Sequence, residues 1–427
     1  MPNLAEDLEF RGLIHQVSDR SLFDLIERER ITAYIGFDPS SSSLHLGNLL
    51  VLCTLRRVQL AGLRPIALAG GGTGLIGDPG GRDEERPLLS LEEHAHNMAG
   101  IRSQMERFLD FSPAAGETQA LLLDNADWLC SMNLMTFLRD VGKHFTVNQM
   151  IARDSVRNRL ERPDQGISFT EFSYMLLQAY DFLHLHDNYG CKLQMGASDQ
   201  WGNIVSGVDL IRRVRGAEAF ALTTPLVLKA DGTKFGKSVS GAVWLDPART
   251  SPYAMYQFLV RTEDAMVGTY LRYFTFLDHA EIEALDDATK EHPERREAQR
   301  VLAREVCALV HSPAEADKAE RAAAALFSEE IALLDESTLL AVLEDAPSST
   351  RSRTDLDGDG LDLVEALAGS GLVPSKSAAR TTIGQGGAYV NNTRRGEGDT
   401  VTRGDLIHDR YVVLRRGRKD YHLLCFA

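Results

Sequence analysis

Residues 31–69 read ITAYIGFDPSSSSLHLGNLLVLCTLRRVQLAGLRPIALA, and the order of apolar runs and breakers in them decides the fold class. Ile31–Phe37 predicts a buried strand and Asp38-Pro39-Ser40 a turn. Leu44–Leu60 predicts a helix closed by Gly62, and Pro65–Ala69 a second buried strand. Lys192–Met195 predicts another short strand, feeding a helix over Trp201–Val214. Strands alternating with helices imply an α/β fold with a parallel sheet covered by helices, because parallel neighbours need a crossover between them.

The pattern changes further along the 427 residues. From about Pro252 to Leu343 the chain is rich in Ala, Leu, Glu and Arg and predicts helices only. Residues 346–360, APSSTRSRTDLDGDG, are polar and rich in Ser, Asp and Gly, which predicts a linker. Asp355-Leu356-Asp357-Gly358-Asp359 resembles half a calcium loop, but Ala366 stands where the bidentate Glu is required. After it come one helical segment and short strands punctuated by glycines.

Composition excludes several classes. Apolar residues make up 44% and charged residues 25%, the balance of a globular protein with a sizeable core. No apolar run approaches the ~18 residues of a membrane span. The N-terminal MPNLAEDLEF mixes acids into apolar residues and predicts neither a secretory signal nor a transit peptide. Cysteines 53, 130, 191, 307 and 425 are too far apart for a CxxC pair or a compact zinc site, which suggests free thiols in a reducing cytoplasm and no metal centre. Net charge is −15, yet residues 376–427 hold ten basic and five acidic residues, leaving +5 there and −20 on the rest. A small basic module on an acidic body suits a polyanion partner.

Three stretches could carry chemistry. Gly72-Thr73-Gly74-Leu75-Ile76-Gly77 is a literal GxGxxG after a strand, but Asp78-Pro79-Gly80-Gly81 breaks the helix that a dinucleotide fingerprint must open. Ser43-Leu44-His45-Leu46-Gly47-Asn48 stands at a strand–loop–helix junction, where free backbone N–H groups make an anion site. Taken alone it is a capped helix with a surface histidine. Thr233-Lys234-Phe235-Gly236-Lys237-Ser238 is a glycine-containing loop with two lysines. Of nine lysines in the chain, three fall between 229 and 237, and a compact ammonium on a flexible stem suits a phosphate followed through a reaction.

A fourth stretch points to an amphipathic ligand. Ser168-Phe169-Thr170-Glu171 fits a capping box that starts a helix through about His184. On it Tyr174, Gln178 and Asp181 share one face, set in the apolar body of Phe172, Met175, Leu176 and Phe182.

HLGN resembles the HIGH signature, and KFGKS the KMSKS signature, of the class I aminoacyl-tRNA synthetases. YIGFDPSSSSLHLGNL, GTGLIGDP, KHFTVNQM, DQGISFTEFSYMLLQAYDF, SDQWGNI, ADGTKFGKS and AVWLDP together resemble the bacterial tyrosyl-tRNA synthetases, in order and over nearly the whole chain.

The resemblance implies a Rossmann-like parallel-sheet catalytic domain over 1–220 with a homodimer-forming insertion near 128–160. A KMSKS-type loop region would follow over 221–247, and a helical anticodon-binding domain over 248–345. The linker at 346–360 would lead to a small basic α+β RNA-binding domain over 361–427, in which Lys376, Arg380 and the Gly384–Val390 turn match. It also implies roles. Tyr34 and Asp181 would hold a substrate phenol, and Tyr174 and Gln178 its ammonium group, backed by Asp78 and Asn125. Gly36, Asp38, His45, Gly47 and Asn48 would contact ATP, and Asp199 and Gln200 the ribose and carboxyl region. Asp199 also reads as the N-cap of the helix beginning near Trp201. Ser40, Lys234, Lys237, Arg82 and Arg86 would supply donors and charge to the phosphates, with Mg2+ on the nucleotide. Asn48 replaces the second histidine of HIGH, and Arg82 stands where lysine is common.

The implied reaction is activation of L-tyrosine by ATP and transfer to tRNA(Tyr). Two alternatives remain: a tryptophanyl-type enzyme, which shares both signatures, and a non-catalytic RNA-binding protein on a synthetase scaffold.

Overall fold

A computed structural model describes the chain except residues 1–2, 79–88, 154–155, 158–159, 161–165, 239–240, 327, 345 and 418–419. Contacts divide it into two compact units, Met1–Arg249 with Thr262–Leu302, and Thr250–Arg261 with Ala303–Ala427.

The first unit is built on a six-stranded sheet of β1 (Gln16–Val17), β2 (Thr32–Phe37), β3 (Arg64–Ala69), β4 (Leu121–Asp124), β5 (Cys191–Ala197) and β6 (Phe220–Thr224). The order is β1-β6-β5-β2-β3-β4, parallel throughout save the antiparallel edge pair β1/β6. The strands are near-continuous apolar runs because helices cover the sheet. The helix Leu46–Leu60 buries ten of its fifteen residues. β2 lies between β3 and β5, so strand order reverses there, and in such sheets a crevice opens at the strands' carboxyl ends.

Residues 262–302 belong to this unit although the sequence groups them with the later helices. Buried arginines explain it. Arg11 and Arg57, each 4% exposed, donate to the carbonyls of Arg272 and Thr275, and Arg11 also to that of Leu277. These carbonyls lie at and just past the C-terminal end of the helix Asp264–Phe274, where cations are favoured.

In the second unit, β9 (Ser348–Arg351), β11 (Ala388–Val390), β12 (Thr393–Arg394), β14 (Tyr411–Arg416) and β15 (Asp420–Phe426) form one sheet, while β10 (Leu361–Asp362) pairs with β13 (Thr400–Val401). Alternation in β14 sends Val412 and Leu414 to one face and Tyr411 and Val413 to the other, and both faces are buried. The first packs on the helices Leu363–Gly369 and Lys376–Gly384, the second on Ile331, Leu339 and Leu343. The stretch expected as a linker is therefore structured: β9 runs parallel to β15, and Leu356 is 3% exposed in the core. Its side chains are polar because β9 is an edge strand, held through its backbone.

Candidate active site

The crevice at the β2/β5 reversal is a cleft of about 810 Å³. At its buried end Asp181, 2% exposed, accepts from Trp128 Nε1 at 2.7 Å and from Asn125 Nδ2 at 2.8 Å. Burial pushes its carboxyl up to about 8 despite those donors, with the charges of Asp38 and Asp124 adding to the rise. The network continues outward. Asn125 Nδ2 lies 2.9 Å from Thr73 Oγ1, which donates to Asp38 Oδ1 at 2.8 Å, and the Tyr174 hydroxyl donates to Asp38 Oδ2 at 2.7 Å. Asn125, expected behind the amino-group site, thus supports the Asp181 end.

Three buried polar atoms face this space without a hydrogen-bond partner among the described residues: the Tyr34 hydroxyl, Gln178 Oε1 and Gln194 Oε1. Burial, then the nearby Asp181 charge, holds the Tyr34 phenol well above its ordinary range. Orphaned buried polar groups are rare, and in a cleft they point to a ligand that completes them.

The open end is built from two loops brought together. His45 caps the helix Leu46–Leu60: its Nδ1 accepts from Gly47 N at 3.0 Å, and Asn48 Oδ1 accepts from His45 N at 3.1 Å. A side chain at Gly47 would collide with the His45 ring, so this glycine is required by its own signature. The lysine loop lies against it, since a Cβ at Gly236 would meet Gly47 N at 3.1 Å. Pairing fixes the approach, with Leu46 N donating to Val243 O and Leu245 N to Leu44 O, each at 2.9 Å.

Lys234 lines the cleft near Asp199. Burial raises the Asp199 carboxyl, the Asp78 charge adds to that, and Lys234 opposes it. Gln200 Nε2 donates to Asp78, and Ser40 and Gly36 complete this end. Asp199 does not cap the helix Trp201–Arg215. It sits in the single turn Ser198–Gln200, and Gln200 occupies the cap position without a side-chain bond. Lys237 lies in β7 (Lys237–Ser238), with its side chain outside what is described; Arg82 and Arg86 lie outside the described residues.

The GxGxxG stretch forms a one-turn 3₁₀ segment, Thr73–Leu75. Its neighbourhood needs glycine because Cβ atoms at Gly70, Gly71 and Gly74 would strike the Asp38 carboxylate, the Asp124 carboxylate and the Pro39 ring. Thr73, Trp128 and Gln194 were invisible from sequence as site residues. Each lies on a different element, and only the sheet topology gathers them.

The family description "tRNA synthetases class I (W and Y)" matches residues 27–328, and the chain belongs to that family. A second description, "Tyrosine--tRNA ligase SYY-like C-terminal domain", matches residues 341–424. The tyrosine--tRNA ligase of Roseiflexus castenholzii is 56% identical over 425 residues, 99% of each chain. That of Opitutus terrae is 50% identical over 420 residues, 98% of each. Among solved structures, a C-terminally truncated mitochondrial tyrosyl-tRNA synthetase of Aspergillus nidulans matches with a TM-score of 0.69 and 34% identity, covering 77% of this chain and 95% of that one.

Proposed function

We propose that the cleft binds L-tyrosine at its buried end and ATP at its open end, with the side chains described above in those roles. The chain is a class I aminoacyl-tRNA ligase for tyrosine: it makes tyrosyl-adenylate and pyrophosphate, then charges tRNA. The observation that carries the site assignment is the unpartnered Tyr34 hydroxyl within electrostatic reach of the doubly held Asp181 carboxyl group. A phenol donates to one and accepts from the other, whereas an indole or a phenyl ring leaves a buried polar group unpaired. Tyr174 and Gln178 take the ammonium group, and Asp78 and Gln200 the region between amino acid and nucleotide.

Tyrosine's carboxylate is already ionised, so attack on the α-phosphorus needs no general base. The new C–O–P bond forms as the bond to pyrophosphate breaks in line. What remains for the protein is alignment and stabilisation of charge on the phosphates. His45, Ser40, Lys234 and Lys237 supply that, with Asp38, Gly36, Gly47, Asn48 and Asp199 holding the nucleotide and Arg82 and Arg86 adding charge. Magnesium enters as the nucleotide's own counter-ion. A 3′-terminal ribose hydroxyl then attacks the adenylate carbonyl and releases AMP.

Exposed Lys376 and Arg380, one turn apart on their helix, support tRNA binding by the second unit. Leu134, Met135 and Val147, exposed at 67, 70 and 58%, support a homodimer through the 128–160 segment. Among the described residues no helix is long and apolar enough to cross a membrane. ATP–pyrophosphate exchange with each of the twenty amino acids tests the substrate: tyrosine alone should support it, and exchange with tryptophan would overturn the assignment.

A further inference from the structure

Trp128 is the one donor to Asp181 whose own support lies outside the cleft. Its indole N–H reaches Asp181 Oδ1 at 2.7 Å, while one ring face is covered by the imidazole of His184, with centroids 4.1 Å apart and planes 14° from parallel. His184 lies on the same helix as Asp181, three residues on, so the two side chains leave neighbouring points of one surface and converge on the indole. The imidazole is itself held. Asn188, one turn further, places its amide nitrogen 3.4 Å from His184 Nδ1 and donates to the His184 carbonyl at 2.9 Å. The Tyr180 and Tyr189 rings flank it at 6.3 and 6.5 Å, and Asp187 is the nearby charge. Burial lowers the tendency of His184 to protonate, and the Asp187 charge opposes that.

We propose that His184 is a positioning residue for tyrosine selection: by stacking on Trp128 it keeps the indole N–H on Asp181 and thereby fixes the carboxyl group that meets the substrate hydroxyl. This rests on the reading of Asp181 as the phenol-binding group. Among the described residues, His184 is not one of those that line the cleft. Without the stack the indole gains freedom to turn, and the carboxylate, left with Asn125 as its other named donor, loses its fixed direction. Only a substrate that uses the carboxylate should notice. Phenylalanine, which has no hydroxyl, should bind as before.

The test compares tyrosine and phenylalanine kinetics in pyrophosphate exchange for His184→Ala, His184→Phe, Trp128→Phe and the His184→Ala/Trp128→Phe pair. An aromatic stack of this kind is worth about a three- to tenfold change. His184→Ala should raise the KM for tyrosine by that factor and lower tyrosine-over-phenylalanine discrimination equally. The KM for ATP and the kinetics with phenylalanine should stay put. His184→Phe keeps a flat ring on the indole and should restore most of the loss. In the Trp128→Phe background, which lacks the N–H, His184→Ala should add little. An unchanged KM for tyrosine, a parallel loss for ATP and phenylalanine, or full additivity in the pair would overturn the proposal. Asp181→Asn in the same assay separates the two readings: if it abolishes discrimination while His184→Ala leaves discrimination at the wild-type value, the phenol site stands and the positioning role falls.

Discussion

On the proposed assignment, the two ends of the cleft would hold their ligands by opposite means. At the buried end Asp181 has its two donors, and Asn125, Thr73, Asp38 and Tyr174 have partners within the protein. At the open end Lys234 is exposed on a loop, and His45 spends its Nδ1 on a helix cap. The first end would recognise a group that does not change during the reaction, so its geometry can be fixed in advance by side chains that lost their water on folding. The second would have to answer charge that appears only as pyrophosphate departs, for which a flexible ammonium is better suited than a buried network. Removing a group should therefore damage selection at one end and rate at the other.

The largest effect should follow Asp181→Ala. Discrimination between tyrosine and phenylalanine should fall by about 10⁴–10⁵, a magnitude taken over from tyrosine-selecting synthetases as a class. Steady-state exchange with both amino acids measures it. Retained discrimination would show that the buried end selects something other than the hydroxyl.

Lys234→Ala should slow adenylate formation by about 10²–10³ while the dissociation constant for tyrosine stays within about twofold. Single-turnover formation of adenylate, beside equilibrium binding of tyrosine, separates the two. A mutant with normal rate and weakened tyrosine binding would erase the contrast between the ends.

The buried end should also show itself in stability without any ligand. The Asp181 carboxyl titrates near 8 in the folded chain against 3.8 for the ordinary value. Between those values the folded state keeps a proton that the unfolded state has released, so the contribution of this group to stability declines as pH rises from about 4 to about 8. Asp181→Asn removes the titration, and its melting temperature should fall less steeply over that window than the wild type's. Parallel curves would mean that Asp181 is ionised throughout.

How much of this was readable beforehand depends on how far each feature reaches through the chain. The face carrying Tyr174, Gln178 and Asp181 was legible because helical spacing is local, and Ser168 Oγ does accept from Glu171 N at the start of that helix. The strands β2 and β3 were legible as apolar runs between breakers. The partners of Asp181 were not, since Trp128 stands 53 positions away and nothing in its own surroundings marks it as a donor. The need for glycine at 70, 71 and 74 was not legible either, since what a Cβ there would strike is Asp38, Asp124 and Pro39, which only the fold brings close. Composition misread residues 346–360, because an edge strand is held through its backbone and leaves few apolar side chains to see.

Asn48 offers the smallest and finest test of the contrast. Its amide is the N3 member of a reciprocal cap: Asn48 Oδ1 accepts from His45 N, and His45 Nδ1 accepts from Gly47 N, so the residue that departs from the family signature holds the one that keeps it. Loss of a cap costs about 1 kcal/mol, or roughly fivefold in an equilibrium that depends on it. Asn48→Ala should therefore raise the KM for ATP by about that factor, through a His45 that is less well held, and leave the KM for tyrosine unchanged. Asn48→Asp keeps the acceptor and should restore the cap while adding a negative charge at the phosphate end, so its KM for ATP should stay high although its helix is as stable as the wild type's. If Asn48→Asp binds ATP normally, the amide acts on the helix alone and the nucleotide does not come near it. If Asn48→Ala weakens tyrosine as much as ATP, the two ends are mechanically joined through the helix Leu46–Leu60, and the separation drawn between them fails.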